Sequence, residues 1–351
     1  MAISIKVIAQ LAGVSHSTVS RALRDSPLIP SATAERIKLI AKQHGYSASA
    51  VARSLVTKRT QAVGVVVTSI ADPFNGEVVD GIEQVANQHG YSVILATSQA
   101  LPERELMVVR SFQERRVDGI VVASSRLGSH YMSLLSELEV PIVLLNNQHP
   151  GMFVHSVSID NASGTYAATR HLISLGHNRI AYLGDQLGLE SDSERFHGFQ
   201  QAMSEAQLEV PVEFILKGDG KREGAAQACR ALLDSGDRPT AIVCYNDMSA
   251  LGVMDVAANL ELSIPLDLSI VGFDDLFFTS ALQPPLTTIR QPKKELGVRS
   301  MELLLALLKG EAADKHEVLQ GELVVRGSTD APKGRTYQAI SAGKNSDTRS
   351  S

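Results

Sequence analysis

Eight short apolar runs, arranged as two series of four, constrain this chain more than any other feature. The first series is "AVGVVV" (62–67), "SVILAT" (92–97), "DGIVVAS" (118–124) and "PIVLLN" (141–146). The second is "RIAYLGD" (179–185), "EFILKGD" (213–219), "TAIVCYND" (240–247) and "LSIVGFDD" (268–275). Amphipathic segments near 75–89, 103–116, 161–175, 194–207, 222–234 and 247–260 lie between them. Continuous apolar strands alternating with helices predict parallel sheets covered on both faces. Two such series predict two similar doubly wound α/β subdomains. Folds of this kind bind ligands beyond the carboxyl ends of their strands, so two facing sheets place the site in the cleft between them.

The polar residues fall where that geometry needs them. Asp72 and Phe74 follow the first strand, and Asn146 and Asn147 follow "IVLL". Asp160 follows "SVSI", Asn246 and Asp247 follow "IVCY", and Asp274 and Asp275 follow "IVGF". Carboxylates and amides suit the hydroxyls of a sugar-like ligand, and an aromatic suits its apolar face. Any one Asp or Asn at a strand end can equally be the cap of the next helix. Their convergence at the ends of both series favours a pocket.

The first sixty residues are of a different kind. They hold nine Lys/Arg against Asp25 and Glu35, net +7, while the remainder holds 24 basic and 36 acidic residues, net −12. A basic head on an acidic body suggests a polyanion-binding module. Ser4 can cap a helix whose apolar face is Ile5, Ile8, Leu11 and Ala12, and Gly13 ends it. Ser15 can then cap a second helix, on which Val19, Ala22 and Leu23 share one face at about 100° per residue. Ser17, Ser20, Arg21 and Arg24 fall on the other face, with His16 at its edge. Two short helices around a glycine turn make a helix-turn-helix whose polar face is free for a partner. A third helix runs from Ser31 to His44, with Ile37, Ile40 and Ala41 inward. Residues 49–56 could form only two helical turns, too few to hold in water unaided. A plain linker is the competing reading there.

Other chemistries find little support. No apolar run approaches the roughly 20 residues of a membrane span, and "MAISIKVIAQ" lacks a secretion-signal layout. Cys229 and Cys244 make neither a disulfide framework nor a metal site, which fits a reducing cytoplasm. "GDGKREG" departs from dinucleotide-loop spacing, and no phosphate loop, nucleophile elbow or HExxH occurs. His171 and His177 flank a helix end as packing or capping groups. Residues 333–351 show no apolar periodicity and read as a disordered tail.

"IKVIAQLAGVSHSTVSRAL" and "GYSASAVARSL" resemble the headpiece and hinge of the lactose-repressor/galactose-repressor family of bacterial transcription regulators. "RHLISLGHNRIAYLGD", "SERFHGFQQAM", "PTAIVCYNDMSALGVMDVAANL" and "PPLTTIRQP" extend the resemblance to about residue 330, over a core like that of periplasmic sugar-binding proteins. The resemblance implies that His16, Ser17 and Arg21 read bases in the major groove, while Lys6, Ser15 and Ser20 touch the DNA backbone. It assigns Ala52, Arg53 and Leu55 to the minor-groove hinge, with Leu55 as the wedge. It implies effector contacts at Phe74, Asp160, Arg195, Asn246 and Asp274. Two departures stand out. Val7 replaces a usual acidic residue, and Gly220 stands where relatives often place a stacking aromatic.

The expected organisation is a helix-turn-helix headpiece (1–48), a hinge and linker (49–61), an effector-binding and dimerisation core (62–332) and a tail (333–351). Within the core, 62–160 with 292–322 should form one subdomain and 161–291 with 323–332 the other. The expected function is a cytoplasmic, homodimeric repressor of near-palindromic operator DNA, needing no cofactor or metal and controlled by a small carbohydrate. Helices near 75–89 and 103–116 are the expected dimer surface. The alternative is a cytoplasmic sugar-binding protein or sugar enzyme with an incidental helical head.

Overall fold

The computed structural model describes residues 4–23, 25–46, 59–125, 140–146, 155–311 and 315–333. The hinge residues Ala52, Arg53 and Leu55, together with Arg24, Asn147 and the expected tail beyond Lys333, lie outside the described residues.

Three helices form the head: α1 (Ile5–Ala12), α2 (His16–Ala22) and α3 (Ser31–Gln43). Gly13 adopts φ +61°, the left-handed conformation that lets α1 stop and α2 start three residues later. Ser15 caps α2, its hydroxyl accepting from the Thr18 N–H at 3.1 Å. Ser4 holds the N-cap position of α1 but makes no side-chain capping bond. Ile8, Ala12, Val19, Ala22, Ile37 and Ala41 bury into one small core. Leu11, expected inside, is 50% exposed, and Ala9 is buried in its stead. At 100° per residue Leu11 lies about 110° from the centre of the stripe through Ile5, Ile8, Ala9 and Ala12.

The core holds two six-stranded sheets. One contains β1 (Ala62–Val67), β2 (Ser92–Thr97), β3 (Gly119–Ala123), β4 (Ile142–Leu145), β5 (His155–Ile159) and β11 (Lys315–Leu319), in the order β11-β5-β4-β3-β1-β2 and wholly parallel. The other contains β6 (Ile180–Asp185), β7 (Ile215–Gly218), β8 (Ala241–Cys244), β9 (Ser269–Asp274), β10 (Thr287–Arg290) and β12 (Glu322–Val324), in the order β12-β10-β9-β8-β6-β7. Only β12 runs antiparallel among its pairings. All eight apolar runs are strands, and each sheet gains two beyond the expected four.

The helices are α4 (Pro73–Gln88), α5 (Pro102–Glu114), α6 (Asn161–Ser174), α7 (Glu190–Glu205), α8 (Arg222–Leu233), α9 (Asp247–Asn259) and α10 (Lys293–Lys309). α10 returns to the first lobe, where Leu296, Met301 and Leu304 join Val78, Ile82 and Val85 of α4 in one buried cluster. Among the described residues the chain therefore passes between lobes after β5, after β10 and after β11. The fold is a helical helix-turn-helix head on an α/β core of two doubly wound, parallel-dominated sheets. No helix among the described residues is long and apolar enough to cross a membrane.

Candidate effector cleft and DNA-facing helix

The cleft is built by strands handing over to helices. After β1 the chain reaches Asp72, whose carboxylate accepts from the Phe74 N–H at 3.0 Å and so caps α4. That cap sets the Phe74 ring, 9% exposed, at the cavity wall. After β8, Asn246 caps α9 by accepting from Ser249 N–H at 2.8 Å, and its amide donates to the Gly220 carbonyl at 2.9 Å. After β9, Asp274 and Asp275 adopt φ +124° and +53°. Neither is a glycine, so this turn stores backbone strain of the kind found at functional sites.

Arg195, one turn into α7 and 5% exposed, organises the floor. Its Nε donates to Asn161 Oδ1 at 2.9 Å, and its Nη1 donates to the Tyr245 carbonyl. The guanidinium lies 3.8 Å from the Phe273 ring centroid and 4.6 Å from that of Tyr245. Gln291 donates to Asp274 Oδ1 at 2.6 Å. Burial pushes the Asp274 carboxyl well above the usual carboxylate range, against the pull of the Arg195 guanidinium. Burial likewise raises Asp72, opposed by its bond from Phe74. Behind the strained turn, Asp247 is fully buried and pushed up to about 7 by desolvation, although Thr288 and the Leu276 N–H donate to it.

Phe74, Arg195, Asn246 and Asp274 thus line one cavity. Asp160 does not; it lines an adjoining one. Its carboxylate caps α6 by accepting from Ser163 N–H at 2.9 Å and also accepts from Gln320 at 3.3 Å. Asp72 and Asn146, noted as strand-end residues, do line the main cavity, and so do Tyr245, Asn161 and Gln291, which the sequence reading passed over. Tyr245 could have been found: it ends "IVCY", one residue before Asn246. A wider cavity of about 550 Å³ opens beyond Tyr245 and Asn246 toward Gly220, Lys221 and Gln99. Gly220 adopts φ +71°, and a Cβ there would stand 3.2 Å from Asp185 Oδ2, so both backbone and space disfavour a side chain.

On the head, His16, Ser17 and Arg21 are exposed on α2, as is Lys6 on α1. The Ser17 hydroxyl bonds that of Ser15 at 2.7 Å and keeps acceptor capacity for a further contact. Ser20 is half-buried.

A helix-turn-helix head on a two-lobed core with a polar cleft defines a ligand-controlled DNA-binding regulator. The profile of bacterial regulatory proteins of the lacI family matches residues 4–49, and that of the periplasmic binding protein-like domain matches residues 169–329. The HTH-type transcriptional repressor PurR of Vibrio vulnificus (strain CMCP6) is 36% identical over 325 residues, covering 92% of this chain and 97% of the relative. The lac repressor dimer bound to operator and the anti-inducer ONPF superposes with a TM-score of 0.87 at 28% identity, covering 94% of this chain and 100% of that one. A LacI-family regulator from Enterococcus faecium with bound ribose gives 0.69 at 29% identity over 77% of this chain and 99% of that one. The chain belongs to the lacI family of bacterial transcription regulators, and it is a DNA-binding regulator controlled by a small ligand.

Proposed function

We propose that this regulator is a homodimeric repressor of a near-palindromic operator in the cytoplasm, and that its effector is a neutral, hydroxyl-rich molecule of the sugar class. The carrying observation is the donor and acceptor set of the main cavity: Arg195, Asn246, Asp72 and Asp274 beside the rings of Phe74 and Tyr245. Carboxyls accept from or, when protonated, donate to hydroxyls, and aromatic faces cover the apolar side of a ring. Across the main and wider cavities, Asp72, Asp185 and Asp219 outnumber Arg195 and Lys221 even with the buried Asp274 left out, which disfavours an anionic effector. The relative with bound ribose supports the same class. Residues 1–48 act as the DNA-binding unit, with His16, Ser17 and Arg21 reading bases, Lys6, Ser15 and Ser20 on the backbone, and Ala52, Arg53 and Leu55 in the minor groove. Asp160 acts at the rim of the site, through its cap on α6.

The dimer follows from two considerations. One α2 reads only a few base pairs, so two half-sites are needed. The edge strand β2 exposes Ile94 and Leu95, and nearby segments expose Ile70 (73%) and Met107 (63%). Of the two helices expected to pair, α5 carries Met107, whereas α4 spends its apolar face on α10.

A thermal-shift titration with D-ribose, D-glucose, cellobiose and hypoxanthine tests the effector class. A sugar should raise the melting temperature of the wild type and leave Asp274→Ala unmoved. Stabilisation by hypoxanthine alone would assign the cleft to nucleobases instead.

A further inference from the structure

The two ends of α10 touch the two places a ligand-controlled regulator must connect. At its N-terminus, the Lys293 ammonium donates to the Asp274 and Asp275 carbonyls at 2.7 and 2.8 Å. These are the two residues of the strained turn behind the cleft. Lys293 is 3% exposed and also pairs with Glu77 of α4 at 3.3 Å. At the other end, the Leu308 carbonyl accepts from Arg59 Nη2 at 2.9 Å. Arg59 begins the described core directly after the segment leading from the head. Its neighbours are fixed as well, since Thr60 N–H and Gln61 N–H donate to the Asp118 carboxylate at 2.7 and 3.0 Å.

Between those ends the helix has little freedom to bend. A Cβ on Gly297 would collide with the Val78 carbonyl, and one on Gly81 with the Lys294 carbonyl. α4 and α10 therefore meet backbone to backbone, and Lys294 adds an ion pair to Asp80 at 2.7 Å. A helix of 17 residues spans about 25 Å. A displacement of the Asp274–Asp275 turn thus moves a stiff two-helix unit rather than being absorbed locally.

We propose that Lys293 is a positioning residue that ties occupancy of the cleft to the linker behind the head. It does so by clamping the Asp274–Asp275 turn to the end of α10 whose other end holds Arg59. The inference rests on the cleft being the effector site, and an ammonium is suited to the clamp because it offers three donors to two carbonyls and a carboxylate. A buried lysine bonded chiefly to backbone carbonyls places the clamp on the turn's conformation, whatever ligand the neighbouring carboxyl meets.

The test uses the full chain as wild type, Lys293→Met and Lys293→Arg, with a duplex selected by the wild type from a randomised near-palindromic library. D-ribose, D-glucose and cellobiose are the probes. Lys293→Met should bind the active sugar within about fivefold of wild type, while the sugar-induced change in duplex affinity collapses toward onefold. Lys293→Arg should restore most of that change. A second readout needs no ligand: amide exchange at 59–61 and 305–310 should quicken by about tenfold in Lys293→Met, and return toward wild type in Lys293→Arg. A full sugar response in Lys293→Met, or unchanged exchange at 59–61, overturns the proposal. If no sugar moves the wild-type duplex affinity, the effector reading fails, and the exchange arm still decides whether Lys293 reaches the linker.

Discussion

The exposed polar side of α2 and the floor of the cleft hold their side chains in opposite ways. On α2, Arg21 and His16 stand exposed, and the burial beneath them is a small cluster of Val19, Ala22 and their neighbours. In the cleft, Arg195 is bonded to Asn161 and Tyr245 and lies against two aromatic rings before any ligand arrives. Asn246 and Asp72 do double duty, each capping a helix while lining the cavity. The exposed side chains of α2 are therefore left for a partner to order, whereas those of the cleft are already held by contacts within the protein.

That contrast makes ranked predictions. Arg195→Met should be the most damaging, because it strands Asn161 Oδ1 and the Tyr245 carbonyl in a buried site. We expect a loss of about 3–5 kcal/mol of stability by denaturant titration, together with loss of the sugar response. A variant that keeps full stability would show that the cleft is not self-supporting. Next in size is a pH effect from Asp247. Its folded-state value is raised to about 7, so the stability it contributes is complete below the ordinary carboxylate range and lost as pH rises through about 7. The unfolding free energy from urea titrations should fall between pH 5 and pH 8 by on the order of 3 kcal/mol from this group. A flat profile would mean Asp247 is charged throughout.

Arg21→Ala should leave stability untouched and weaken duplex binding by about 1–3 kcal/mol, with relaxed preference at one base pair. An equal loss on all sequences would make Arg21 a backbone contact. The smallest effect is expected from Ser15→Ala, which removes the α2 cap for about 1 kcal/mol of head stability and leaves sugar binding by the core unchanged.

The same contrast explains what could be read from sequence. β5, "HSVSI", and β10, "TTIR", hid behind their serines and threonines although both are parallel and interior, while the strands of the two series were legible as continuous apolar runs. β11, "KHEVL", and β12, "ELV", were not, since edge strands keep polar residues and β12 is only three residues long. α10 carries an evident helical repeat in "MELLLALL" that the two-series reading left aside. Phe74, Arg195, Asn246 and Asp274 meet because strand ends converge, while Asp160 sits a helix start away from them. Lys293 was illegible: "KK" reads as a solvated pair, yet the first lysine is 3% exposed and the second 53%. Only the return of α10 beneath the Asp274–Asp275 turn separates them.

The central claim is that occupancy of this cleft sets the affinity of the head for DNA. Fluorescence anisotropy of a selected near-palindromic duplex, titrated with the full chain with and without the sugar that stabilises it, tests this most directly. The account predicts a change in duplex affinity of about 5–150-fold, lost in Arg195→Met. A sugar that binds the core tightly yet leaves duplex affinity unchanged would contradict it.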